Sequence, residues 1–146
     1  MIFLREVDQT NFNDCMGLKR DSFLFVGGPE YVLAEAYIYR DDCTAYSICD
    51  ENTVVGMVII RDRPKTGKAY SFTSLFIADD FQRKGLGQAA VEEIMKKLRD
   101  ERRSDYAEIQ VHCANEPARK IYERCGFVEI KRAEWNNDFA VMRTKI

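Results

Sequence analysis

The sequence lacks a long apolar run, an excess of charge of either sign and a C-x-x-C pair, and each absence excludes a class of protein. No apolar segment approaches the roughly 20 residues that a membrane-spanning helix needs, so we expect no membrane association. The N-terminal stretch reaches Arg5 and Glu6 at once, so we expect no secretory signal there. With 22 basic and 24 acidic side chains, the net charge of -2 gives no electrostatic basis for binding nucleic acid.

The five cysteines are odd in number and form no C-x-x-C pair. This pattern argues against a disulfide framework and against a structural zinc site. We therefore expect no bound metal, reduced thiols and a cytoplasmic location. Cys49, Cys113 and Cys125 lie in apolar stretches, where we expect them to be core residues.

The length of 146 residues fits one compact domain over residues 1–146, and 46% hydrophobic residues are enough to fill a core. Periodicity and turn residues predict helices over 10–20, 29–39, 86–100 and 116–125. They predict strands over 2–7, 44–49, 53–61, 69–77, 107–113, 127–132 and 138–145. Helices alternate with strands only in the second half of this β-α-α-β-β-β-α-β-α-β-β order. The fold class is therefore α/β with a mixed sheet rather than a fully parallel one.

Residues 75–88 carry the most informative motif. An apolar strand leads through a short acidic turn to Gln82-Arg83-Lys84-Gly85-Leu86-Gly87, which opens an amphipathic helix. The first N–H groups of a helix have no internal partners and carry the positive end of the helix dipole. Glycines let a phosphate approach the backbone, and the two cations add positive charge. The stretch therefore has the properties of a pyrophosphate site.

Two other interpretations of this stretch compete with a pyrophosphate site. A solvated charged loop that ends in a helix cap needs no ligand. A dinucleotide fingerprint would match Gly85-x-Gly87-x-x-Ala90, but seven residues, 78–84, separate it from the strand that it should follow directly. A Walker A phosphate loop is excluded because no G-x-x-x-x-G-K-[ST] occurs.

The segment Gln82-x-x-Gly85-x-Gly87, behind an apolar strand and opening a helix, resembles the signature of the GNAT family of N-acetyltransferases. A later segment, Asn115-x-x-Ala118-x-x-x-Tyr122-x-x-x-Gly126-Phe127, resembles the family's second conserved region at the expected separation. The closing residues 139–142 resemble its final strand. The resemblance covers the whole chain in element order and implies the GNAT acyl-CoA N-acyltransferase fold, with acetyl-CoA as the acetyl donor.

The resemblance assigns cofactor contacts to the main chain of the strand and turn, and to the start of the last helix. These positions are Leu75, Ile77, Gln82, Arg83, Lys84, Gly85, Leu86, Gly87, Gln88 and Asn115. Gln82 would help to shape the turn, and Asn115 would either touch the pantetheine arm or simply cap its helix.

Tyr122 resembles the residue that protonates the departing thiolate in this family. Direct attack of an amine on a thioester passes through a tetrahedral intermediate, whose collapse expels a thiolate that needs a proton. Where some relatives carry a glutamate as base, this chain has Ser71-Phe72-Thr73-Ser74, so a serine or threonine would hold a relaying water. His112, the only histidine, has an intrinsic pKa that suits a base. Core packing is the alternative role for Tyr122 and for His112.

The acceptor implied by the resemblance is a primary amine of a small molecule. Glu30 and Glu35, on the second predicted helix, are the candidate substrate-binding residues, because carboxylates suit a cationic amine. This region faintly resembles the bacterial polyamine and diamine acetyltransferases. A protein or peptide N-acetyltransferase, a non-catalytic acyl-CoA sensor and an interaction module are the alternatives. Many relatives are homodimers, so a homodimer is possible here.

Overall fold

The computed structural model describes residues 1–20 and 27–146. The strands are β1 (Ile2–Glu6), β2 (Thr44–Asp50), β3 (Thr53–Arg61), β4 (Ser71–Ile77), β5 (Tyr106–His112), β6 (Val128–Arg132) and β7 (Phe139–Lys145). The helices are α1 (Phe12–Met16), α2 (Pro29–Ile38), α3 (Leu86–Glu101) and α4 (Glu116–Arg124). The predicted element order and the mixed α/β class are confirmed.

Two boundaries differ from the sequence prediction. Helix α1 is shorter than the predicted 10–20, because the chain turns at Gly17. The N–H of Gly17 donates to the carbonyl of Asn13, and the next N–H, of Leu18, donates to the carbonyl of Cys15. A short 3-10 turn, Asp79–Phe81, follows β4 and was not predicted. Its acidic residues and single turn give no helical periodicity that a sequence pattern could reveal.

The strands form two antiparallel groups, β1-β2-β3-β4 and β5-β7-β6. The groups meet through Tyr70, just before β4. Its N–H donates to the carbonyl of Tyr106 at 2.9 Å, and its own carbonyl accepts from the N–H of Glu108 at 2.8 Å. This bridge is parallel, and within the described chain β4 and β5 have no other ladder pairing. The two neighbouring strands therefore separate beyond Tyr70 and leave room between their ends.

Helices cover both faces of the first group of strands. Alternate residues of β3 point to opposite faces, so Val58 and Ile60 join one core cluster while Met57 and Ile59 join the other. Helix α3 fills the first cluster with one buried stripe that includes Ile94 and Leu98. Helices α1 and α2 supply the second cluster. The predicted apolar face of α3 is confirmed: Ala90, Val91, Ile94, Met95 and Leu98 are all buried.

The five cysteines, all within the described ranges, are free thiols. Cys49 is buried as predicted, but Cys113 and Cys125 are only half-buried and pack against the edge of the core. Across residues 1–20 and 27–146, no helix combines the length and apolarity needed to cross a membrane. In the same ranges, no three His, Cys, Asp or Glu side chains group closely enough to hold a metal ion.

Candidate functional site

A cavity of about 500 Å³ lies where the end of β4, the start of α3 and helix α4 meet. We call it the first cavity. Its described lining comprises Arg20, Leu75, Phe76, Ile77, Phe81, Gln82, Arg83, Gly85, Leu86, Gly87, Gln88, Asn115, Pro117, Ala118, Ile121, Tyr122 and Arg124. Ten of the twelve catalytic and cofactor positions predicted from the sequence are thus brought together; Lys84 and His112 are the two that are not.

The turn that opens α3 is shaped by backbone geometry. Gly85 occupies the N-cap position with φ +75°, and Arg83 also has a positive φ of +64°. The side-chain amide of Gln82 donates to the carbonyl of Ile77 at 2.9 Å, which fastens the turn to the end of β4. This hydrogen bond supports the expected role of Gln82 in shaping the turn.

No side chain of the described residues caps the N-terminus of α3. Its first N–H groups, from Leu86 to Gln88, therefore lie at the cavity wall without an internal partner. A helix N-terminus in this condition attracts an anion through both its free donors and its dipole. The first cavity is consequently suited to a phosphate group.

The charged side chains of the first cavity support the same conclusion. Among its described lining residues there are three arginines, Arg20, Arg83 and Arg124, and no carboxylate. Arg20 is half-buried; its Nε has no hydrogen-bond partner, and burial lowers the pKa of its guanidinium while nearby Asp79 opposes that shift. An anion in the cavity would relieve part of that desolvation.

Sequence reasoning missed Arg20 and Arg124 and included Lys84. Arg20 is far from the motif in sequence, and only the fold brings it to the cavity. Arg124 is the last residue of α4, three positions after Ile121 and seven after Pro117, which also line the cavity, so helical spacing was the signal that could have found it. Lys84 instead places its ammonium 5.9 Å from the ring centroid of Phe81, outside the described lining.

Tyr122 sits against an aromatic wall. Its ring makes edge contacts with Phe72 and Phe127, with centroids 5.9 Å and 6.0 Å away. Burial of the side chain is the main cause that raises the pKa of its phenol, and neighbouring Cys125 adds to the shift. The phenol is therefore protonated throughout the neutral range and is available there as a hydrogen-bond donor or an acid.

Asn115 and His112 lie on either side of the turn between β5 and α4. The side-chain oxygen of Asn115 accepts from the N–H of Ala118 at 3.4 Å, so the residue caps α4 and also lines the first cavity. His112 Nδ1 accepts from the N–H of Ala114 at 3.1 Å, and its ring packs edge-on against Phe139. The histidine thus takes part in the turn and does not line the cavity that contains Tyr122.

A second cleft adjoins the first cavity through β4. Its described lining includes Glu35, Tyr39, Arg61, Ser71, Phe72, Thr73, Gln110 and Trp135. Between the two, Ser74 adopts a positive φ of +55°, a conformation that non-glycine residues rarely take outside functional or strained positions. Glu35 therefore lies near the site, whereas Glu30 is exposed and lines neither cavity.

Uncapped amides, glycines and arginines beside a partly buried phenol form an arrangement suited to a phosphate-bearing ligand and to acid-assisted chemistry next to it. The sequence model of the acetyltransferase (GNAT) family matches residues 12–127. The chain belongs to that family and is an acetyl-CoA-dependent N-acetyltransferase. A comparison with curated proteins gives no match.

Solved structures share the fold over nearly the whole chain. Spermidine N-acetyltransferase from Vibrio cholerae, in complex with CoA and spermine, is 17% identical with a TM-score of 0.74, covering 99% of this chain and 94% of that one. The ribosomal-protein-S18-alanine N-acetyltransferase from Escherichia coli is 16% identical with a TM-score of 0.73, covering 100% and 94%. An aminoglycoside acetyltransferase in complex with coenzyme A is 14% identical with a TM-score of 0.78, covering 99% and 95%. These likenesses establish the fold and leave the acceptor open.

Replacement of Gln82 tests how the turn is held. We expect Gln82→Ala to lower the free energy of unfolding by about 1 kcal/mol, because the carbonyl of Ile77 loses its side-chain partner. Gln88→Ala is the matched control: it removes only an exposed contact with Glu92, worth about 0.5 kcal/mol or less. Urea denaturation measures the free energy of unfolding of both variants. Equal losses of stability would show that the Gln82 hydrogen bond stabilises the fold no more than the exposed contact of Gln88.

Proposed function

We propose that the protein transfers the acetyl group of acetyl-CoA to the primary amine of a small molecule, using residues 1–146 as one transferase domain. The observation that carries this proposal is the uncapped start of α3, which shares one cavity with the end of β4 and with Tyr122. An uncapped helix start, which suits a phosphate, and a phenol, which suits proton donation, therefore border the same space. Acetyl-CoA carries a pyrophosphate, which the helix start would bind, and a thioester, whose departing sulfur would take the proton.

The residues present fit the cofactor. The N–H groups from Leu86 to Gln88 and the side chains of Arg83, Arg20 and Arg124 would hold phosphate groups. Gly87 lines the cavity without a side chain, and a Cβ there would come within 3.3 Å of Ile121 Cδ1. The main chain at Leu75 and Ile77 would bind the pantetheine arm, with Asn115 on the other side. When bound, acetyl-CoA supplies a thioester whose C–S bond breaks as the amide C–N bond forms.

Tyr122 would supply the proton that the departing sulfur needs. Its raised pKa keeps the phenol protonated, and its hydroxyl has no hydrogen bond with any described residue, so it is available to a ligand. The acceptor amine loses one proton as the amide forms, and the sulfur gains one. The phenol therefore returns to its starting state within one turnover once it recovers that proton through solvent.

Strand β4 carries no carboxylate that could remove the proton from the amine. Ser71 and Thr73 line the second cleft and, with Ser74, would hold a water that carries the proton to solvent. The proposed alternative base, His112, stays a prediction, and its place outside the lining of the first cavity favours the water. Glu35, in the second cleft, would contact a positively charged group of the acceptor.

The decisive test of activity uses mass spectrometry. We expect purified protein incubated with acetyl-CoA and pooled polyamines, amino acids, aminoglycosides and short peptides to yield one amine that has exchanged a hydrogen for an acetyl group. Heat-inactivated protein is the control for spontaneous acetylation. A complete panel without product, from protein that binds acetyl-CoA in calorimetry, would contradict transfer to a small amine and favour an acyl-CoA sensor.

The Tyr122→Phe variant tests the acid. We expect kcat to fall by about 100-fold while the acetyl-CoA dissociation constant stays the same, because only the donated proton is lost. Tyr106→Phe, on β5 and outside both cavities, is the matched control and should keep full activity. An unchanged kcat in Tyr122→Phe would remove the hydroxyl from the mechanism.

The Gly87→Glu variant tests where the phosphates bind. A carboxylate at this position adds bulk beside Ile121 and negative charge at the helix start, so we expect CoA affinity to fall by at least about 10-fold. Gly87→Ala separates the effect of bulk from that of charge. Gly17→Glu adds the same charge at an exposed position outside the cavity and should leave affinity unchanged. Calorimetric titration measures all three, and normal affinity in a folded Gly87→Glu variant would move the site elsewhere.

A further inference from the structure

The second cleft lies next to the proposed reaction centre along β4. Ser71 and Thr73 line it, while Leu75 and Ile77, further along the same strand, line the first cavity. The aromatic rings of Phe72 and Tyr122 meet at the boundary, with centroids 5.9 Å apart. A molecule held in the second cleft would therefore present its amine toward the space next to Tyr122.

The charges that line this cleft do not suit a polycation. Three cations, Arg61, Lys68 and Lys131, face it alongside the carboxylates of Glu35, Glu108 and Glu134. Glu108 is already paired with Arg143 at 3.1 Å, outside the cleft lining. Arg61 is likewise paired with Asp42, so two carboxylates and two cations of the cleft have no ion pair with a described residue. This balance is complementary to a molecule that carries both charges and not to one that carries several positive charges.

Arg61 is the cation most suited to a ligand. It ends β3, directly opposite Ser71 in the β3–β4 register, and it lines both parts of the cleft. Its ion pair with Asp42 is made through Nε at 3.3 Å, and its side chain is 42% exposed. A guanidinium held in this way keeps terminal N–H groups for a second anion, and its planar fork matches a carboxylate.

An aromatic wall completes the cleft on the side of β5. Trp135 is 65% exposed, yet its ring is held by a hydrogen bond from Nε1 to the side-chain oxygen of Gln110 at 2.7 Å. It also packs on Phe139, with centroids 4.7 Å apart. Because that bond uses the oxygen of the Gln110 amide, its NH₂ group remains a donor toward the cleft. An exposed indole fixed in this way offers an apolar surface to a bound molecule.

We infer that the second cleft selects an acceptor that carries a carboxylate beside its primary amine, the class of the amino acids, and that Arg61 binds this carboxylate. The inference rests on the proposed function and narrows it. Arg61 and the Gln110 amide bind the anionic end, Glu35 faces a cationic group, and Trp135 covers the apolar part. The reacting amine points along β4 toward Tyr122.

Matched pairs of acceptors test this inference. Lysine against cadaverine, ornithine against putrescine and tyrosine against tyramine differ only in the carboxylate. We expect kcat/KM with acetyl-CoA to be higher for at least one amino acid than for its decarboxylated partner by about 10-fold or more, since a hydrogen-bonded charge pair contributes on that scale. Faster acetylation of every decarboxylated partner, or of spermidine, would overturn the inference while leaving the transferase activity established.

Variants of Arg61 assign the effect to this residue. We expect Arg61→Ala to raise the KM of the amino acid by about 10-fold or more while leaving the decarboxylated partner and the KM for acetyl-CoA unchanged. Arg61→Lys should restore part of the loss, because an ammonium keeps the charge but not the fork. Asp42→Asn retains Arg61 and should keep the preference. Arg5→Ala, at an exposed position of β1, controls for loss of surface charge. An equal loss for both members of each pair would make Arg61 merely structural and contradict the inference.

Binding provides a readout that does not depend on turnover. Calorimetric titration of each amino acid into the protein with CoA present should give saturable heat that Arg61→Ala abolishes and that the decarboxylated partners do not produce. Failure of the proposed transfer chemistry would leave this binding intact. Absence of binding by every amino acid tested, or equal binding by the decarboxylated partners, would overturn the inference by itself.

Discussion

The bridge made by Tyr70 is the constraint on which the rest of the site depends. Its backbone is the single described ladder contact that joins the two groups of strands, and its buried hydroxyl accepts from the N–H of Arg103 at 2.5 Å. Since β4 and β5 are tied at one end only, they part toward their carboxyl ends. That separation creates a cavity on each side of β4, and the positive φ of Ser74 changes the course of the strand between them.

Electrostatics divides the two cavities into different binding environments. The described lining of the first holds three arginines and the free N–H groups of α3 but no carboxylate, which suits an anion alone. The second mixes both signs, which suits a molecule with both charges. One strand, β4, thus borders two environments, of which the first suits an anionic donor and the second suits the acceptor with both charges that we propose.

The features that the sequence predicts are those set by local physics. The turn at residues 82–88 and the cap at Asn115 each lie within a few residues, and the buried stripe of α3 follows helical spacing. Arg20, Arg61 and Trp135 were missed because their roles depend on tertiary contacts with residues 19 or more positions away. Lys84, His112 and Glu30 were included by residue type and proximity in sequence, and the fold turns each of them away from the lining of the first cavity.

The burial of Tyr122 determines what kind of acid it can be. A thiol has a pKa near 8.5, about 1.5 units below that of an unperturbed phenol, and burial widens this gap by raising the phenol pKa further. Complete transfer of the proton to a free thiolate would therefore be uphill in free energy. The phenol is instead suited to a hydrogen bond that strengthens as negative charge grows on sulfur, with the proton crossing only as the amine releases its own. Contact with Phe72 and Phe127 stabilises this neutral state, because an apolar wall disfavours the phenolate more than the phenol. The same packing that makes Tyr122 a weak acid in isolation thus keeps it protonated for every turnover.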